Sequence, residues 1–169
     1  VDVVYHLAGG EKQGARVDLE KIDINGTRTL AKVAANARIG RLFYVSHLGA
    51  DRASAFPLLK AKGIAEEHIR DSGVPYTIVR SSILFGQNDG FTTGLSLLLC
   101  GSPGFLPIPG KGKTILQPLW LEDLATCLIW ALDDPGTINQ VMELGGNEYL
   151  SFEQITLTVM AVIKKRRSL

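Results

Sequence analysis

Three short apolar runs in this chain stop at residues able to hold or move protons and hydrogen bonds. Val3-Val4-Tyr5-His6-Leu7 ends at Ala8-Gly9, Leu42-Phe43-Tyr44-Val45 ends at Ser46-His47, and Tyr76-Thr77-Ile78-Val79-Arg80 ends at Ser81-Ser82. Runs of this kind read as buried parallel strands, whose carboxyl ends are where α/β proteins bind ligands. Between the second and third runs, Lys62-Gly63-Ile64-Ala65-Glu66 opens a helical pattern that can fold back over the strand end. A lysine on its own reads as a solvated helix residue. Three strand ends on one edge, with this lysine between the last two, give Lys62 a functional reading. His6 reads as a core histidine and His68 as a helix-surface one, while His47, beside Ser46 at a strand exit, either lines a ligand site or does not.

Other chemistry is excluded by spacing. Gly110-Lys111-Gly112-Lys113-Thr114 resembles the end of a phosphate loop, but Pro107 stands where its first glycine belongs and the following residues read extended. Gly9, Gly10 and Gly14 miss the dinucleotide fingerprint because Glu11 takes the second glycine's place, so these glycines read as a tight turn or a close backbone approach to a flat ligand. The three histidines show no metal spacing. Asp123 reads as a carboxylate favoured in the first turn of a helix.

Composition sets wider bounds. The chain has 169 residues, 46% hydrophobic and 21% charged, which fits one globular domain with a substantial core. A net charge of +1 argues against a nucleic-acid or anionic-membrane partner. Lys164 to Arg167 read as a cationic helix end. Cys100 and Cys127, in apolar surroundings, are expected to be reduced core thiols. With no signal peptide and no apolar run long enough to span a bilayer, the expected location is cytoplasmic. Without such a signal the sequon at Asn25-Gly26-Thr27 carries little meaning.

The elements that must position these residues follow in order. A strand fills the first residues and a helix covers roughly 16–39, with Gly40 suited to the left-handed position after it. A strand over 41–46 leads to a helix from Phe56 or Leu59 to Ser72, closed by Gly73 and Pro75. The third strand, 76–80, is followed by a stretch rich in glycine and proline, with one short helix around 92–100. A strand near 114–118, a helix over 121–132, a strand at 141–144 and a capping box at Ser151-Phe152-Glu153-Gln154 complete the pattern. The alternation predicts an α/β fold, a partial Rossmann or doubly wound parallel sheet with a small irregular substrate-side region.

Six segments, in family order, resemble the extended or atypical short-chain dehydrogenases/reductases, the family of NAD-dependent epimerases and dehydratases. They are His6-Leu7-Ala8-Gly9, Asn25-Gly26-Thr27, Val45 through Ala50, Lys62 through Glu66, Thr77 through Arg80 with Phe85-Gly86, and Gln117-Pro118-Leu119-Trp120 with Asp123. The branch most similar is that of the complex I nucleotide-binding accessory subunit and the NmrA-like proteins. The resemblance implies an NAD or NADP cofactor, with Leu7, Ala8 and Gly9 beside the adenosine and Lys62 on the nicotinamide ribose. It places Ser46 near the ring, Ser81, Ser82 and Ile83 beside the carboxamide, and Phe85, Gln117 and Trp120 on the substrate side. Ser46, His47 and Lys62 are its catalytic candidates. It divides the chain into a C-terminal half of a dinucleotide-binding domain (1–86), a lid (87–118) and a closing segment (119–169).

Two departures qualify what is implied. The family's glycine loop and first strands have no counterpart, so a truncated or processed chain is expected, with an apolar edge on the first strand that a partner chain or a second copy would cover. The family's catalytic tyrosine belongs four residues before the lysine, where Leu58 stands. The expected function is therefore an NAD(P)-binding protein with absent or altered catalysis. The alternatives are an active oxidoreductase or epimerase whose base has moved to His47, and a protein-interaction or assembly module.

Overall fold

The computed structural model describes residues 2–10 and 17–168. Glu11, Gly14 and the start of the expected first helix lie outside the described residues. In chain order the first elements are β1 (Val3–His6), a π-helical segment (Glu20–Gly26) running into α1 (Thr27–Asn36), β2 (Arg41–His47), α2 (Pro57–Asp71) and β3 (Tyr76–Ser81). Then come β4 (Leu84–Phe85), α3 (Gly90–Gly101), β5 (Ile115–Leu116), β6 (Leu119–Trp120), α4 (Leu121–Asp133), β7 (Gln140–Leu144), β8 (Leu150–Ser151) and α5 (Phe152–Val162). The residues group into two compact units, Val1–Ser81 with Ala125–Leu144 and Ser82–Leu124 with Gly145–Leu169.

The first unit is a four-stranded parallel sheet in the order β1-β2-β3-β7. Leu42, Phe43 and Tyr44 of β2 are fully buried, as expected for a strand covered on both faces. On one face Leu42, Tyr44 and Ile78 pack against Ala31 and Ala34 of α1 and Ala65 and Ile69 of α2. Each large apolar side chain so buried contributes about 1.5–3 kcal/mol relative to exposure. On the other face Arg41 lies 4.8 Å over the Phe43 ring and donates to the Leu132 and Asp134 carbonyls.

Local chemistry explains the helix ends. Pro57 opens α2 after an extended Phe56, and Gly73 takes a φ of +76° behind it. The left-handed residue after α1 is Arg38, at φ +52°, not Gly40 as the sequence implied. Gly40 serves instead as a close approach, its N–H donating to the Asp2 carbonyl at 2.8 Å. Gly63 is under a stricter steric demand, since a Cβ there would lie 2.5 Å from the backbone at Asp51 and Arg52. The loop leaving β2 thus rests directly on α2, which fixes the turn of that helix carrying Lys62 and Glu66.

The second unit has its own core of Leu95, Leu99, Leu106, Ile155 and Met160, joining α3 to α5. Asp89 caps α3 by accepting from the Thr92 N–H, and Ser151 and Gln154 form the expected capping box on α5. The strand expected near 114–118 is present as the short β5, and a second short strand, β6, follows it. β5 pairs antiparallel with β8, and β6 pairs parallel with β4. Gly146 passes so close to the Pro118 carbonyl that a Cβ would fall within 1.8 Å of the oxygen. Neither cysteine is a core thiol: Cys100 is exposed and Cys127 half-buried, because Leu99, Leu124 and Leu128 take the inward positions. Lys164 to Arg167 follow α5 rather than forming its last turn.

Candidate functional site

Parallel register brings the first three strand ends to one edge. His6 pairs with Tyr44, and His47 pairs with Ser81. Beyond β1, Leu7 is 65% exposed and Ala8 is exposed, presenting a small apolar surface at the rim. Ser81 is buried and donates to the Ser46 carbonyl at 3.3 Å. Side chains alternate along a strand, so Ser46 faces α2 while His47, half-buried, turns to the opposite face.

Beneath this rim lie two buried carboxylates. Glu66 is fully buried and accepts from the Ser46 hydroxyl at 2.7 Å, from Arg80 Nε at 3.0 Å and Nη2 at 2.8 Å, and from Arg70 Nη1 at 3.2 Å. Hydrogen bonding to Glu66 holds the Arg80 guanidinium above its ordinary value. Four charge-assisted or short bonds on one carboxylate satisfy its lone pairs and join β2, β3 and α2. The Ser46 hydroxyl is committed to this node.

Asp23 forms the other node. It sits in the π-helical segment, fully buried, and its Oδ2 accepts the Gly10 N–H at 3.0 Å. Its Oδ1 lies 3.2 Å from Lys62 Nζ, with side-chain exposures of 0% and 3%, an ion pair whose geometry falls short of a hydrogen bond. His6 Nε2 lies 2.8 Å from Thr27 Oγ1, and its imidazole is pushed below its usual range by burial and then by the Lys62 ammonium. Lys62 Nζ also sits 5.4 Å from the centre of the Tyr44 ring.

Acid–base chemistry at this edge has no obvious carrier among the phenols. Leu58 precedes Lys62 by one helical turn, where a phenol would have to stand. The phenol that does approach Lys62, Tyr44, is fully buried and pushed up to about 12, chiefly by desolvation. At neutral pH it neither gives up nor exchanges its proton readily. Two polar atoms among the described residues, Asp23 Oδ1 and the Tyr44 hydroxyl, are buried without a hydrogen-bond partner. Sequence reasoning did not single out Asp23; the only signal was its place between Ile22 and Ile24 in the helical pattern.

The second unit holds the remaining expected residues. Ser82 is buried, and Ile83 offers its carbonyl to the Leu119 N–H at 2.9 Å. Phe85 and Trp120 meet edge to face, 5.1 Å between ring centres. They line a cleft of about 260 Å³ with Pro118, Asp123, Asn147 and Glu148. Gln117 is not among the lining residues: its Nε2 donates to the Gly146 carbonyl at 2.7 Å, which holds the backbone crossing in place.

Comparison with known proteins gives this edge a context. Residues 1–104 match the family model described as NAD(P)H-binding. Among curated proteins, the chain is 30% identical over 166 residues to NADH dehydrogenase (ubiquinone) 1 alpha subcomplex subunit 9, mitochondrial, of Arabidopsis thaliana, covering 97% of this chain and 41% of that protein. The Mus musculus protein of the same name is 28% identical over 158 residues, 91% of this chain and 41% of that one. The chain thus spans about two fifths of the length of these relatives. Among solved structures, UDP-glucuronic acid 4-epimerase from Bacillus cereus in complex with NAD superposes with a TM-score of 0.80 at 19% identity, over 100% of this chain and 63% of that one. MoeE5 in complex with UDP-glucuronic acid and NAD gives a TM-score of 0.81 at 15% identity, over 99% and 64%. The fold is therefore the Rossmann fold shared with these NAD-bound structures, and by sequence this chain belongs to the NAD(P)H-binding family.

Proposed function

We propose that the edge formed by β1, β2 and β3 binds NAD or NADP in a protein whose oxidoreductase chemistry is weak or lost. The observation that carries the second half of this reading is the state of Lys62. It is buried against Asp23, with Leu58 one turn before it and a Tyr44 phenol that stays protonated. The residues present fit a dinucleotide. Leu7 and Ala8 offer small, exposed apolar contact for an adenosine, and Gly9 leaves the backbone open to close approach. Ser81, Ser82 and Ile83 would flank the carboxamide. Ser46 and Lys62 would support the rim from beneath. When bound, the nicotinamide would supply hydride chemistry; this chain's part is to bind and orient it. Phe85 and Trp120 would meet a substrate or a partner group.

The likeness to subunits named for NADH dehydrogenase supports a role as an assembly or redox-sensing subunit of a larger complex. The cytoplasmic setting expected from the sequence stays a proposal for this chain, whereas those relatives are named as mitochondrial. Fractionation of the tagged full-length protein separates the two. The chemistry is tested on the full-length protein with NADH and NADPH, by titration and by turnover with carbonyl substrates. Binding without turnover is expected. Turnover abolished by His47→Ala would replace this reading with that of an oxidoreductase whose base has moved.

A further inference from the structure

Asp23 is the least expected residue of the first unit. An acidic side chain between two isoleucines of an amphipathic helix would face solvent or the helix flank in a regular α-helix. Here the segment Glu20–Gly26 is π-helical, a rare geometry that changes the side-chain register and is frequent at functional sites. The wider turn carries the Asp23 carboxylate fully inside, where it meets two things at once. One oxygen accepts the N–H of Gly10, the last described residue of the loop leaving β1; the other faces the Lys62 ammonium of α2. Gly10 is also held sterically, since a Cβ would lie 2.5 Å from Val17 Cγ2 and 3.0 Å from Asp23 Oδ2.

We infer that Asp23 is a positioning residue for the nucleotide, acting through Gly10: its carboxylate, fixed by Lys62, sets the path of the Leu7–Gly10 loop against which the adenosine would lie. The inference rests on the nucleotide reading above and adds a residue to it. Buried ion pairs are weak sources of stability but strong sources of geometry, because removing one partner strands the other charge. The pair ties the loop after β1 to the helix over β2.

The test must separate the acceptor from the charge. Replacing Lys62 by methionine together with Asp23 removes both members of this ion pair, so the double variants Lys62→Met with Asp23→Asn and Lys62→Met with Asp23→Ala are compared in the full-length protein. The carboxamide oxygen of the first still accepts the Gly10 N–H; the methyl of the second does not. NADPH affinity is read by calorimetry, and amide hydrogen exchange is read at Leu7–Gly10 and at Phe43 and Ile78 in the sheet. The alanine variant is expected to bind about tenfold more weakly than the asparagine variant, the size of one lost hydrogen bond to a loop. Gly10 should exchange faster while Phe43 and Ile78 keep their protection. Equal affinity and equal Gly10 exchange in the two variants would overturn the inference. So would a loss of protection spread equally over Phe43 and Ile78, which would make Asp23 a general structural residue. If the wild-type protein binds neither NADH nor NADPH, the nucleotide reading fails, whereas Gly10 exchange still reports whether Asp23 fixes the loop.

Discussion

Two carboxylates lie fully buried under the same sheet edge, and they are built on opposite plans. Glu66 is saturated by a serine hydroxyl and two guanidinium groups. Among the described residues, Asp23 holds one backbone N–H and one imperfect ion pair, beside a buried Tyr44 hydroxyl with no hydrogen-bond partner in that set. The saturated node joins α2 to β2 and β3 and leaves nothing over for a ligand. The unsaturated one stands next to the loop that ends β1. The difference teaches where to look for function in a buried polar network: at the member left incomplete.

That contrast can be broken by substitution. Glu66→Ala strands Arg80 and the Ser46 hydroxyl and is expected to cost the most, about 3–5 kcal/mol of stability in denaturant unfolding. A cost under about 1 kcal/mol would show that the node is not structural. Asp23→Asn, which keeps an acceptor for the Gly10 N–H but removes the buried charge facing Lys62, is expected to cost less, about 2–3 kcal/mol. Much of it should return when Lys62→Met is added. A double-mutant cycle with a coupling below about 0.5 kcal/mol would contradict the pairing.

The pH dependence sharpens the same comparison. His6, beside the Asp23 node, has its folded value depressed below 6.5, first by burial and then by Lys62. The unfolded chain therefore takes up a proton before the folded one does. Stability is full above about pH 6.5 and is lost as the pH falls from there through the folded value, with a slope of at most about 1.4 kcal/mol per pH unit for one proton. Unfolding midpoints measured across that window should show the slope in the native chain and lose it in His6→Gln. The smallest effect is expected at the exposed Arg52–Glu67 pair, 3.2 Å apart on the surface. Arg52→Ala should change stability by no more than about 0.5 kcal/mol, because exposed pairs are screened and mobile.

Much of this arrangement was legible from residue order. The apolar runs ending at Ser46 and Ser81 gave the parallel strands, and the helical spacing placed Lys62 and Glu66 on one face of α2. Their four-residue separation already implied that both would point at the same layer. Asp23 was not legible, because helical patterning assumes an α-turn and the π-helical segment breaks that period. The left-handed turn at Arg38 escaped for a related reason. Glycine is the default for positive φ, yet the glycine nearby was needed two residues later for a close backbone approach. Cys100 and Cys127 looked like core residues only because their neighbours are apolar; the inward positions go to Leu99, Leu124 and Leu128. In the second unit, the sequence did not show that the Gln117 side chain donates to the Gly146 carbonyl, a contact made across a distant stretch of chain.

The central proposal is that this edge binds a nucleotide in a protein whose oxidoreductase chemistry is weak or lost. The most direct measurement is a titration of the full-length protein with NADH and NADPH, following the fluorescence of Trp120 and Trp130, with the nicotinamide absorbance recorded in the same cuvette. Saturable binding of at least one of the two, with the absorbance unchanged when carbonyl substrates are added, is the result expected. No binding of either, or steady oxidation of the bound nucleotide, would contradict it.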